Sequence, residues 1–320
     1  MLYFYGLLAQ QPKAQYSFTP DRSLSVKLTQ ISTLVITAFA LAACGSSGSS
    51  NAIKTDGQTN NGSAMSELDK AVLEAKKLIR MDNPPDDPWK HEIDMAYING
   101  KSYDLTKPVD LTKINDGKLG YIITDYTVRY KGGEPGFVDI DGQYTGKFLI
   151  YNLPYSIMLG QTITGFEGKY KHGNIFVPPA DVIPAEDRAF SVEHIAGLGT
   201  KAEAIDKLAG DNISATYQGL AFKDGGQGKI ITAGNLDYTI DFGARSGQGK
   251  IGSSIILEKG NITAFDQYNA QQGIYGKVTG LDPNTGYALG IYGPNAEGIM
   301  GAIHKNNGED IIGFGGERQK

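Results

Sequence analysis

Cys44 is the only cysteine in the 320-residue chain, and Leu41-Ala42-Ala43-Cys44 stands directly behind an apolar run over 31–41. Small residues ahead of the cysteine suit a signal peptidase, and Lys27 before a short apolar segment is the secretory pattern. The chemistry this spacing offers is attachment of lipid to Cys44. The apolar run is shorter than the roughly 20 residues that span a bilayer. With Cys44 committed to an anchor, no thiol remains for disulfides, thiolate metal sites or redox chemistry.

The other residue types capable of chemistry are sparse. His91, His172, His194 and His304 show no metal-ligand spacing, so no metal site is expected. His172 lies in Tyr170-Lys171-His172-Gly173-Asn174, a hairpin tip where an imidazole, an aromatic ring and a cation stand together. Those are the elements that hold haem: an axial ligand, an apolar contact and a partner for the propionates. His304 reads as a turn residue. Gly197-Leu198-Gly199-Thr200 imitates a dinucleotide fingerprint, but Tyr217 and Gln218 stand where its acidic residue belongs, and a glycine turn before a helix capped by Thr200 is expected. Asp139-Ile140-Asp141-Gly142 opens like a calcium loop, yet Ile150 replaces the closing acid, so it reads as a β-turn. No serine occupies a nucleophile elbow. The chain reads as a binding protein, not an enzyme.

The elements that must position these residues are mostly strands. The chain carries 42 glycines and 18 tyrosines against a single tryptophan, the usage of turns and half-buried pleated surfaces. Its formal charge of −5 offers no basic patch for nucleic acid. Residues 1–43 read as signal peptide, compact if translation starts near Val26, and 44–64 as a lipidated, Gly/Ser-rich flexible tether. An N-terminal β-rich effector domain is expected over 65–210. It opens with a short amphipathic helix at 66–80 and carries an Asn99-Gly100 hairpin turn and separate runs at 136–140 and 146–153.

A filled, eight-stranded antiparallel up-and-down β-barrel is expected over 211–320. Its strands are read near 215–222, 236–242, 251–257, 262–265, 273–278, 287–292, 299–304 and 310–315, and closure removes the exposed edges. Binding residues concentrate on irregular loops carried by a rigid scaffold. Here that points to Tyr170, His172 and Phe176.

Gly293-Pro294-Asn295-Ala296-Glu297 and the ending Gly313-Phe314-Gly315-Gly316 resemble the C-terminal barrel of transferrin-binding protein B. That barrel recurs in surface lipoproteins exported by a dedicated outer-membrane partner, the Slam or type XI system. Ile150-Tyr151-Asn152-Leu153-Pro154-Tyr155 resembles the N-terminal domain of the hemophilin branch, which includes NilC, a colonisation lipoprotein of nematode symbionts. The resemblance implies an effector domain on a barrel recognised by the exporter, with the motif residues structural.

Gly45 after the cysteine implies delivery by the lipoprotein-sorting machinery to the outer membrane. The expected function is a surface lipoprotein, held in the membrane by its lipid, that binds a host ligand and supports colonisation. The alternatives are capture of haem or haemoglobin for iron acquisition, with no other cofactor expected, and a periplasmic structural lipoprotein.

Overall fold

The computed structural model describes residues 65–78, 95–104, 107–132, 138–172, 175–176, 188–306 and 308–320. The chain is mainly β. Eight antiparallel strands close a barrel: β10 (Ser214–Asp224), β11 (Ile230–Asp241), β12 (Ser246–Ile251), β13 (Ile255–Ala264), β14 (Gln272–Thr279), β15 (Thr285–Tyr292), β16 (Gly298–Lys305) and β17 (Asp310–Arg318). Each pairs with the next, and β17 closes the ring on β10 from Tyr217↔Arg318 to Lys223↔Ile312. Closure leaves neither strand with an unpaired edge. Tyr217, Leu236, Tyr238, Leu257, Tyr287 and Phe314 belong to the fully buried core inside. The buried phenols are hydrogen-bonded: Tyr238 and Tyr287 share a 2.9 Å hydroxyl contact, and the Tyr287 hydroxyl donates to the Glu258 carbonyl at 2.8 Å.

The count of eight matches the expectation, but two strands lie elsewhere. The stretch expected as one strand at 251–257 contains a turn between β12 and β13, and 262–265 continues β13. The strand missed is Ser246-Gly247-Gln248-Gly249-Lys250-Ile251. A Cβ on Gly247 would lie 2.7 Å from Tyr238 Cε1, and one on Gly249 2.5 Å from Tyr238 Cδ2. The tyrosine ring fills the space where apolar side chains would have signalled a strand. His304 also lies inside a strand, β16, rather than in a turn.

The N-terminal residues form a second antiparallel sheet in the order β3-β2-β5-β6-β7-β8, with β9 also pairing with β7. Its members are β2 (Met95–Ile98), β3 (Lys101–Asp104), β5 (Gly120–Gly132), β6 (Val138–Asn152), β7 (Ser156–His172), β8 (Ile175–Phe176) and β9 (Ser191–Gly197). Asn99 and Gly100 take φ of 50° and 72°, the left-handed pair that a tight hairpin requires. The two short runs expected at 136–140 and 146–153 are one long β6. Asp139 to Gly142 is therefore strand and not turn, and a Cβ on Gly142 would meet Phe166 Cζ at 2.5 Å.

A strap crosses one face of this sheet: helix α1 (Glu67–Ala75), then β1 (Lys77–Leu78) paired with β4 (Val109–Asp110), and a 3-10 turn at Leu111–Asn115. Ser66 caps α1 by accepting from the Asp69 N–H at 3.1 Å. The helix stops at Ala75, short of the expected 80: Lys76 caps it, 3% exposed, and the backbone of Lys77 and Leu78 is taken up by pairing with β4. Arg80 lies outside the described residues.

The other face of the sheet packs on the outside of the barrel. Leu149, Tyr151, Leu153, Met158 and Ile195 form one apolar cluster with Phe222, Ala288, Tyr292, Met300 and Ala302. β15 and β16 are therefore buried on both faces. Helix α2 (Ala202–Gly210) sits between sheet and barrel in the chain and contributes Ile205 to the barrel core. Thr200 does not cap it. Its hydroxyl donates instead to the Gly293 carbonyl at 2.7 Å, and Lys201 takes the cap position without a side-chain bond.

Candidate ligand-binding surface

Strand β5 has two unlike faces. Ile122, Tyr126 and Val128 point into the layer beneath the strap with Ile98, Phe148, Ile150, Ile157 and Leu111, and the rings of Tyr126 and Phe148 stack at 3.8 Å. Tyr121, Ile123, Asp125 and Thr127 occupy the face turned toward the barrel. Their cross-strand partners Tyr151 and Leu149 are 4% and 0% exposed beneath the barrel, whereas Tyr121 and Ile123 are 46% and 37% exposed. The barrel covers β6 and stops at β5.

Tyr121 marks the step, its ring centre 5.0 Å from that of Phe222 on β10. Leu119 (45% exposed) continues the strip at one end, and Tyr97 (52%), opposite Thr127 on β2, extends it at the other. The Asp125–Lys147 ion pair at 2.5 Å interrupts it with charge. An apolar strip with two tyrosines, bounded by polar groups and held on a central strand, can anchor a protein partner: tyrosine offers large contact area and a hydroxyl at little entropic cost.

Most of the motif residues meet at one seam. Ile150 and Asn152, 0% and 2% exposed, lie on the strap side of β6, whereas the Tyr151 hydroxyl donates to the Gly315 carbonyl of the barrel at 3.3 Å. Gly293 takes φ of +91°, and a Cβ there would lie 3.0 Å from Tyr155 Cδ2 and 2.3 Å from Glu297 Oε2. Glu297 folds back on its own turn, accepting from the Asn295 N–H at 2.8 Å and the Asn295 amide at 3.1 Å, while Pro294 is exposed. Burial and the nearby Glu297 and Asp69 carboxylates push the Tyr155 phenol up. Ala296 turns into the barrel core at φ +58°, and its carbonyl accepts from the Tyr217 hydroxyl at 2.7 Å. In β17, Phe314 points inward, and Gly313 and Gly315 face Met158 and Leu153 of the sheet. Gly316 lies against the backbone of Gln218 in β10. The N-terminal and C-terminal motifs are thus two sides of one contact.

The expected ligand trio is divided. Tyr170 is not on an irregular loop: it lies in β7 opposite Ile140 and is 8% exposed. His172 follows two positions on, opposite Val138, at the end of the longest hairpin. Phe176 pairs with Lys171, one residue out of step with the other two. Cys44 and His91 lie outside the described residues.

Burial takes the His194 imidazole down to about 4. His304 is likewise lowered by burial. Among the described residues, no three His, Cys, Asp or Glu side chains gather as a metal site.

Residues 207–303 match the family described as Factor H binding protein, C-terminal. The match runs from within α2 to within β16. Among solved structures, the intact two-lobed transferrin-binding protein designated Ap-TbpB is 14% identical, with 75% of this chain and 48% of that chain covered and a TM-score of 0.37. A Haemophilus parasuis TbpB mutant is 13% identical, covering 72% and 45%, also at 0.37. The Kingella denitrificans haemoglobin receptor HpuA is 11% identical, covering 74% and 89%, at 0.33. The chain spans about half the length of those two transferrin-binding proteins.

Tyr97, Leu119, Tyr121 and Ile123 were not legible as a site. The signal available was Tyr121-Ile122-Ile123, three apolar residues in succession at the start of a strand. Such a strand has apolar residues on both faces and so requires cover on both. The barrel supplies the second cover only in part.

Proposed function

We propose that this protein is an outer-membrane lipoprotein, anchored through Cys44 and displayed on the cell surface by a Slam-type partner, that binds a host protein and supports host association. The strip of Tyr97, Leu119, Tyr121 and Ile123 carries the reading: it is apolar surface left open beside the apolar layer of Leu149 and Tyr151 that the barrel covers. The match of the barrel region to a domain family named for factor H binding supports a host protein as ligand.

The test pairs two measurements on intact cells, surface amount by antibody and retention of factor H or haemoglobin. Tyr121→Ser with Ile123→Ser is expected to lower retention by about 2 kcal/mol or more, the cost of losing a true anchor, at unchanged surface amount. Equal retention by this variant and the parent, for a ligand the parent binds, sinks the proposed surface.

Haem capture at Tyr170, His172 and Phe176 is the second reading. The observation behind it is that His172 stands in step with Tyr170 in β7, while Phe176 is one residue out of step. A Soret band on haemin addition that disappears in His172→Ala supports it, and no band at stoichiometric haemin removes it.

A further inference from the structure

Lys76 ends α1 and turns its amine onto the end of β6, where the strap meets the sheet. Lysine is rarely fully buried without a charged partner, yet this one is 3% exposed, and its two hydrogen-bond acceptors among the described residues are neutral. Nζ donates to Asn152 Oδ1 at 2.9 Å and to the Leu153 carbonyl. Asn152 is itself 2% exposed, and its Nδ2 donates to the Lys118 carbonyl at 2.9 Å, which turns the carbonyl end of the amide toward the amine. A primary amine and a carboxamide are therefore held in contact in a place that largely excludes water.

We propose that Lys76 and Asn152 join in an isopeptide bond that ties the strap next to the tether covalently to strand β6. The Nζ lone pair attacks Asn152 Cγ. An Nζ–Cγ bond forms, the Cγ–Nδ2 bond breaks, and Nδ2 leaves as ammonia carrying the proton that Lys76 gives up. An amine and a primary amide become a secondary amide and ammonia, with no oxidant, reductant or co-reactant required. Holding the two groups in place makes the step intramolecular, which removes most of its entropic barrier.

The surroundings favour the reactive forms. Desolvation lowers the Lys76 amine to about 8, so an appreciable fraction is neutral and nucleophilic near neutral pH. Asp110 and Glu317 are the carboxylates acting on it electrostatically. Asp110 is committed to the Thr112 N–H and hydroxyl at 3.0 and 2.6 Å. Partial burial raises Glu317 in β17, whose side chain stays open to solvent.

Peptide mapping of the full chain purified from cells decides the matter. The expected product is one branched tryptic peptide carrying both Lys76 and Asn152, its mass that of the two linear peptides less one ammonia, with no cleavage after Lys76. Linear peptides with unmodified Lys76 and Asn152 in the folded parent protein overturn the proposal without recourse to any variant. Lys76→Arg should abolish the branched species and slow migration of the denatured chain.

Discussion

Gly313 tests whether sheet and barrel fit through a glycine-lined seam. A Cβ at this position would lie 2.4 Å from Met158 Sδ, 2.8 Å from Met158 Cε and 2.8 Å from Val192 Cγ2. Gly313→Ala must therefore displace Met158, a 0% exposed side chain in the layer shared with Tyr292 and Met300. Overpacking of this kind costs about 1–3 kcal/mol. Met158→Ala alone leaves a cavity costing about 2–5 kcal/mol. The two changes are coupled, because shortening Met158 vacates the space that the new methyl group needs.

In a double-mutant cycle read by urea midpoint at constant m-value, Gly313→Ala should cost at least about 1 kcal/mol less in the Met158→Ala background than in the parent, the size of coupling expected of residues in contact. An equal cost in both backgrounds would show that the methyl group is accommodated without touching the sheet, and the seam would be wrongly drawn.

Three further outcomes are open to measurement. Tyr287→Phe should destabilise the barrel more than Tyr238→Phe, by about 1 kcal/mol in chemical denaturation, because removing the Tyr287 hydroxyl strands that of Tyr238, whereas the reverse change leaves Tyr287 bonded to Glu258; equal costs refute the hydroxyl chain. His194, lowered by burial from 6.5 to about 4, binds its proton more readily unfolded than folded. Its contribution is therefore complete above pH 6.5 and lost as pH falls toward 4, and a His194→Gln variant whose stability falls just as steeply over that window contradicts this. Deleting 313–320 removes Phe314 and most of the pairing of β17 with both β10 and β16, so the cooperative melt should vanish; a retained melt refutes closure of the ring.

Much of the barrel was legible because its strands alternate. Leu236, Tyr238 and Ile240 point inward between Asp237, Thr239 and Asp241, and the period of two fixes their faces. The reading failed where tertiary packing replaces side chains with space. Gly247 and Gly249 make β12 invisible to a count of apolar residues, and Gly142 under Phe166 turns a strand into an apparent turn. Thr200 followed by Glu203 carries the local signature of a capped helix, but a buried carbonyl at Gly293 claims the hydroxyl.

The candidate surface was hidden for a related reason. Whether Tyr121 is core or surface depends on where the barrel ends, and no local pattern encodes that boundary. The stretch with Tyr170, His172 and Phe176 reads as irregular in sequence, whereas a cross-strand ladder extends β7 through His172 and places Phe176 in β8.

β17 sets an order of events for a chain that is made from its N-terminal end. It follows the other described strands, and it supplies the inner side chain Phe314, the flat outer positions Gly313 and Gly315, and the hydrogen-bonding partners of both β10 and β16. Until it arrives, β10 and β16 each keep a bare edge, and the apolar face with Leu149, Tyr151 and Met158 lacks part of its cover. Every earlier intermediate is therefore a sticky, incomplete sheet of the sort that aggregates. The barrel and the cover it gives the sheet are therefore completed together, when β17 pairs with β10 and β16.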